Sequence, residues 1–268
     1  MSPAPIDPLE FARLEESRQA RSLARIADEF EEIAGGTMCF GGAGSWANQA
    51  MGMGMNGPVL PADLDRLIAY YEPRGVEAKV ELCPFADASL VRGLAERGFV
   101  VREFENVLAL GLRNAELSPV PVGIEIQRVD PSDEQRVQIY LSITRDGFAP
   151  TNPEQYARLE RRMLRAPGTL SFMALIDGEP AAAGSCEVAP PCAALFGLTT
   201  LARFRRRGCQ RALMIVRLRA AIEAGCRYAS IHSRPDVATG RNAMRLCFQV
   251  AFTKAILARP GPGLEPSP

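Results

Sequence analysis

Five arginines, Arg203, Arg205, Arg206, Arg207 and Arg211, fall within nine residues around a single glycine, Gly208. Before them runs an apolar segment, Ala193 to Leu201, and after them a long amphipathic one that closes at Gly225. The periodicity predicts a strand, a short turn and a helix over 207–224. A helix that starts directly after a strand offers the unpaired N–H groups of its first turn, and the positive end of its dipole, to whatever lies beyond the strand. Such a turn binds anions. Gly208 permits close backbone approach, and the guanidiniums supply charge-assisted hydrogen bonds suited to phosphate oxygens. A charge run alone reads more simply as a solvated face, but the strand, turn and helix around this one favour the anion site.

The run Arg205-Arg206-Arg207-Gly208-Cys209-Gln210 resembles the Arg/Gln-x-x-Gly-x-Gly/Ala motif of the GNAT acyltransferase superfamily at every fixed position except the last. Gly225-Cys226, a strand from Tyr228 to Ser233, Gly240-Arg241-Asn242 and Cys247-Phe248 are similar to the later motifs of that family. The resemblance covers about residues 123–258. It implies an acyl-CoA site, usually for acetyl-CoA as co-substrate, and an amine acceptor that is a small molecule or a peptide. It also implies that the pyrophosphate sits on the loop backbone, here Arg206, Arg207, Gly208, Cys209, Gln210, Arg211 and Ala212. Leu198 and Thr200 would pair with pantetheine, Thr199 would be the bulge residue of that strand, and Asn242 would lie near the thiol end. Two positions depart from the family. Gln210 replaces a glycine or alanine, and Ala243 stands where many members carry a tyrosine that protonates the leaving thiolate.

A group to take the amine proton is sought among carboxylates. Glu187, near the end of a strand over 180–188, would face the cleft, and burial would raise its pKa toward a useful range; an exposed strand-end carboxylate is the competing reading. His232, the single histidine, reads as a structural residue. Cys186, Cys192, Cys209, Cys226 and Cys247 read as small core residues, and no motif sets a histidine beside a thiol.

The elements that must position these groups form two series. The first has a helix from Pro8 to Ile33, a strand Thr37 to Phe40, a glycine-rich loop through 41–61, a helix from Ala62, a strand 78–82, a helix 87–97 and a strand 100–112. Met51, Met53 and Met55 suit an adaptable apolar surface. A proline-containing linker spans 113–123. The second series has a strand 124–129, helices near 132–146 and 153–165, strands 169–176, 180–188 and 193–201 with a turn at Asp177-Gly178, the helix after the arginines, a strand 228–233, a helix 239–246 and a strand 250–258. The two series echo one another in the order of elements and in the spacing from glycine to phenylalanine. The expected class is α/β, with a mixed, mostly antiparallel sheet flanked by helices in two tandem units. Residues 1–118 form a reduced unit related to the second, 119–260 the acyl-CoA-binding unit, and 261–268 a frayed tail.

Composition narrows the partners. The formal charge is zero, with 31 basic and 31 acidic residues, yet residues 1–118 carry −7 and residues 119–268 carry +7. That asymmetry hints at an anionic partner for the basic part. One histidine and scattered cysteines without a CxxC speak against a metal centre. No apolar run approaches a membrane span and the N-terminus lacks a signal pattern, so a cytoplasmic protein is expected. Nucleic acid is disfavoured because the arginines are not interleaved with aromatics. A homodimer stays open. The leading reading is an N-acetyltransferase acting on a primary amine; the alternative is an acyl-CoA sensor or scaffold without turnover.

Overall fold

The computed structural model describes residues 6–113, 115–235 and 237–266. The first helix, α1 (Pro8–Ile26), begins where Asp7 accepts from the N–H groups of Leu9 and Glu10, both at 2.9 Å, with Pro8 in its first turn. It stops earlier than the apolar spacing predicts. Ala27 turns extended, and the segment expected as the end of the helix is a strand, β1 (Glu29–Ile33), which pairs antiparallel with β2 (Gly36–Phe40). The cause is Ala34-Gly35, whose positive φ angles of 46° and 79° make the two-residue turn that a twisted hairpin demands. The glycine-rich loop that follows contains a short strand, β3 (Gln49–Met51). Met51 and Met53 are buried in the core rather than spread on a surface.

Next come α2 (Pro61–Tyr71), β4 (Ala78–Leu82), α3 (Ala88–Glu96) and β5 (Val100–Gly111). The second series contains β6 (Glu125–Val129), α4 (Glu134–Phe148), α5 (Pro153–Arg165), β7 (Thr169–Ile176), β8 (Glu179–Ala189), β9 (Cys192–Thr200), α6 (Cys209–Glu223), β10 (Tyr228–Ser233), α7 (Ala238–Met244) and β11 (Gln249–Arg259). The Asp177-Gly178 turn between β7 and β8 has φ of 54° and 78°, the same hairpin geometry as at Ala34-Gly35.

The chain divides into two compact units that do not follow its order. The first takes in Asp7–Val107, Ser233–Val237 and the segment from Val250 onward; the second takes in Leu108–His232 and Ala238–Gln249. In the first unit β1, β2 and β3 are antiparallel, β3 and β4 are parallel, and the chain's last strand, β11, pairs antiparallel with β4. Its core joins Met38, Leu64, Leu67, Tyr71, Val80, Leu90 and Leu94 to Leu257 of β11. The tail expected to fray is held to Glu265, which bridges Val76 and whose carbonyl accepts from the Glu77 N–H at 2.9 Å.

In the second unit the strands lie in the order β10, β9, β8, β7, β6, antiparallel except for the parallel pair β9 and β10. The end of β5 belongs here. Leu108, Leu110 and Leu112 pack with Ala229, Ile231, Leu218 and Phe248, and the Leu112 N–H donates to the Arg227 carbonyl at 2.9 Å. The expected α/β class, mixed and mostly antiparallel with flanking helices, is what the structure shows. Among the described residues no helix is long and apolar enough to cross a membrane.

Candidate functional site

The site begins with a fault in a strand. Ala183 of β8 faces Thr199 of β9 and Ser185 faces Phe196, so the single residue Gly184 stands opposite two, Gly197 and Leu198. Gly197 has φ of 61°, the left-handed conformation of a bulge led by glycine. The bulge therefore falls at Gly197 and Leu198 instead of at Thr199. On its other side β9 pairs with β10 only as far as Leu195 and Ile231, although β9 continues to Thr200. From Phe196 onward the β9 edge is open among the described residues.

Arg217 secures this fault from beneath. It lies on α6, only 1% exposed, and its guanidinium donates to the carbonyls of Ser185 (2.9 Å), Phe196 (3.2 Å) and Leu213 (2.9 Å). Two of these acceptors flank the bulge, where the ladder cannot supply donors. Burial pulls the Arg217 pKa down to about 10. The sequence alone does not single out Arg217, because α6 also carries Arg211 and Arg219, and what distinguishes Arg217 is its burial.

Beyond β9 the chain makes a turn around Phe204, which is buried beneath Arg203 and Arg207 with guanidinium carbons 4.8 and 5.8 Å from the ring centroid. Arg206 and Gly208 have φ of 63° and 93°. Positive φ at alternate residues curls backbone N–H groups inward to form an anion-binding nest. Gly208 is the N-cap of α6 and has no side chain to offer; the first turn holds no acidic residue either. The Ala212 N–H is used by the Gly208 carbonyl at 3.0 Å, and the earlier N–H groups of the helix point outward from its start.

Three of the arginines are drawn aside. Arg203 reaches Glu179 at 3.2 Å, Arg207 reaches Asp177 at 3.4 Å and Arg205 reaches the Thr200 carbonyl at 3.5 Å. The two ion pairs are exposed and weakly held, so an incoming anion can compete for both guanidiniums. Arg211 bonds Ser118 at 3.1 Å. The Gln210 side chain turns toward Asn242 of α7, whose amide donates to it at 2.5 Å. That contact shows where the extra length at position 210 is accommodated.

The structure thus joins Leu198, Thr199, Thr200 and the Arg205 to Ala212 turn in one continuous edge, and reaches Asn242 through Gln210. Glu187 is 5% exposed on β8 opposite Ala194, so it is not an exposed strand-end carboxylate. It is engaged with another group and lies on the sheet face shared by Ser185. Burial raises the thiols of Cys209 and Cys226, and Cys186 to about 11, which keeps them protonated. Cys247, expected in the core, is exposed with φ of 66°.

That same face holds a buried polar cluster. The Tyr140 hydroxyl of α4 lies 2.8 Å from Ser185 Oγ, which is 2.6 Å from Ser171 Oγ. On α5, Tyr156 is hydrogen-bonded to Thr144 and to Glu160. Glu160 is 5% exposed, and burial pushes its pKa up to about 7, against the lowering effect of the Tyr156 hydrogen bond. Glu160 was missed because glutamate on a charged helix reads as solvated. The available signal is its place four residues from both Tyr156 and Leu164, on the buried stripe.

The matching position of the first unit, between β3 and α2, is built differently. Gly52 and Gly54 also have positive φ, but the Gly54 N–H goes to the Ala34 carbonyl and the Val59 N–H to Ser89. The helix starts with Pro61, which has no N–H, and Asp63, which takes the Leu60 N–H at 3.1 Å. A carboxylate in the first turn repels anions.

The model of the acetyltransferase (GNAT) family matches residues 136–247. Those residues are similar to a GNAT domain. They run from α4 past the end of α7 and include the β9 bulge, the arginine turn and Asn242. Among solved structures, a GCN5-related N-acetyltransferase from Kribbella flavida is 19% identical with a TM-score of 0.69, over 93% of this chain and 96% of its own. A tandem GNAT protein from the clavulanic acid biosynthesis pathway is 13% identical with a TM-score of 0.61, over 96% and 90%. A GCN5-related N-acetyltransferase from Sphaerobacter thermophilus is 14% identical with a TM-score of 0.58, over 81% and 75%. At these identities the likeness establishes the fold. No curated protein matches the sequence. The family is one of acyltransferases, and the matched residues coincide with the part of the chain that carries the open strand edge.

Proposed function

We propose that this chain is an N-acetyltransferase that moves an acetyl group from acetyl-CoA to a primary amine. The observation that supports it most is the joining of two features on one strand: the bulge at Gly197 and Leu198 opens the β9 edge, and the same strand runs into an uncapped helix start with positive φ at Arg206 and Gly208. In this reading the pyrophosphate rests on the N–H groups from Arg206 to Ala212, with Arg205 and Arg207 turning from their present partners toward it. Pantetheine lies along the edge, taking backbone hydrogen bonds from Leu198 and Thr200. A donor fixed at its phosphates and threaded along a strand holds its thioester at one place, which brings an amine into attack geometry without further ordering.

Titration calorimetry with acetyl-CoA, followed by CoA release over a panel of primary amines, tests the reading. Saturable binding with amine-dependent release is expected. No binding at high micromolar acetyl-CoA would overturn it. A second reading, an acyl-CoA sensor without turnover, is favoured by Ala243, which is buried where many GNAT proteins place a tyrosine acid. It expects binding and no release with any amine.

A further inference from the structure

The proline-containing stretch between β5 and β6 has the composition of a free tether, but it is fastened along α6. Leu117 packs against the apolar cluster that contains Met214 and Leu218 of that helix. Ser118 is then held twice: Arg211 donates to its Oγ and Arg219 to its carbonyl, both at 3.1 Å. Arg211 and Arg219 stand about 12 Å apart along the helix axis, so two side chains converge on one residue of the strap.

A turn through Val122 and Gly123 follows, with Gly123 at φ of 81°. It leaves Val122 fully exposed at its tip and brings the residues on either side, Pro121 and Ile124, to one place. That place is Gly208. A Cβ there would lie 3.3 Å from Ile124 Cδ1 and 3.6 Å from Pro121 Cγ, so two apolar side chains cover the bare Cα of the glycine. Ile124 also packs against the cluster that holds Phe204 and Cys209, the buried residues at the two ends of the arginine turn.

The backing falls where the backbone needs it. Arg206 and Gly208 have φ of 63° and 93°, and a non-glycine residue keeps such an angle only where its surroundings enforce it. The turn supplies little constraint of its own. Gly208 caps α6 without a side-chain hydrogen bond, and the ion pairs of Arg203 and Arg207 are exposed.

We propose that Pro121 and Ile124 are positioning residues for the arginine turn. They back Gly208 so that the N–H groups from Arg206 to Ala212 stay curled toward the pyrophosphate, while Ser118 keeps the strap in register on α6. This rests on the acetyl-CoA reading above. Both residues act through Gly208, and a turn that is already curled binds without being ordered by its ligand.

Titration calorimetry with acetyl-CoA on the full chain tests this, at a temperature where circular dichroism shows each variant folded. A wild type that does not bind overturns the acyl-CoA reading and this inference with it; a wild type that binds leaves the variants to decide the inference alone. Ile124→Ala is expected to bind about tenfold and Pro121→Gly about fivefold more weakly, because the ligand must then order the turn. Ile124→Leu, which keeps the volume, is expected to stay within about twofold of wild type. Val122→Ala, at the exposed tip of the same turn, is expected to change nothing. Gly208→Ala combined with Ile124→Ala is expected to bind about as weakly as Gly208→Ala alone, since both loosen one turn. Pro121 lies on a surface turn, so Pro121→Gly decides the question even if Ile124→Ala is unstable. The proposal is overturned if the destabilised variants melt earlier yet bind acetyl-CoA within about twofold of wild type, or if the Gly208 and Ile124 losses multiply to about 100-fold. An equal loss in Val122→Ala overturns it as well.

Discussion

At Gly208 the backbone stands at φ of 93° directly before α6, and a Cβ there would lie 3.3 Å from Ile124 Cδ1. An L-residue at such a φ costs roughly 1–2 kcal/mol, and relaxing it rotates the N–H groups that follow. Gly208→Ala is accordingly expected to weaken acetyl-CoA binding by about tenfold by calorimetry, since about 1.4 kcal/mol corresponds to that factor. The arginines and Gly208 were legible because a strand, a turn and a helix start are local in sequence. Glu160 was not, because what decides its chemistry is how deeply α5 is covered. Its folded pKa of about 7 stands above the ordinary 4.5, so the native state binds the proton more tightly than the unfolded chain. Stability contributed by the protonated form is full below 4.5 and is lost as pH rises through 7. Glu160→Gln removes that loss. Chemical denaturation at pH 8 is expected to show a gain of up to about 3 kcal/mol, shrinking toward zero near pH 4.

Elements decide what those residues face. The strand β9 and the helix α6 were expected at nearly their observed bounds, because one is uniformly apolar and the other follows a glycine stop signal. The bulge was expected at Thr199 and occurs at Gly197, where glycine alone takes the left-handed turn without strain. Arg217 then links the two elements by holding the Phe196 and Ser185 carbonyls beside the fault. Arg217→Met fills similar volume and withdraws these donors. Urea denaturation is expected to show a loss of about 3 kcal/mol, and acetyl-CoA affinity is expected to fall as the edge loses its shape. The misplaced end of α1 has the same kind of cause. Phe30 and Ile33 fit a helical stripe, but Ala34-Gly35 closes a hairpin that pairs Glu29–Ile33 with β2, and pairing outweighs periodicity.

Across the whole molecule the halves of the chain exchange strands. Leu108 to Leu112, at the end of the first series, pack with β10 and α6, while β11, at the end of the second, pairs with β4. Lys254 fixes β11 there. It is fully buried and its ammonium reaches Glu16 at 2.7 Å, Glu81 at 2.9 Å and Gln19 at 2.6 Å. Lys254→Met leaves two buried carboxylates facing each other and is expected to cost about 3–5 kcal/mol in denaturant unfolding. Cutting the linker at residue 118 and separating the pieces deprives one of β11 and the other of the Leu108 to Leu112 segment. Neither piece alone is expected to show a cooperative thermal transition by circular dichroism, and mixing them is expected to restore it.

The order and type of nearly every element, and the arginine turn from Arg205 to Ala212, were set by the sequence alone, because strand alternation, helical spacing and glycine stops act over a few residues. The tertiary structure alone decided the position of the bulge, the burial of Arg217 and Glu160, and the exchange of β5 and β11. Each depends on partners tens to hundreds of residues away. Burial and strand pairing are properties of what packs together, and no local pattern records them.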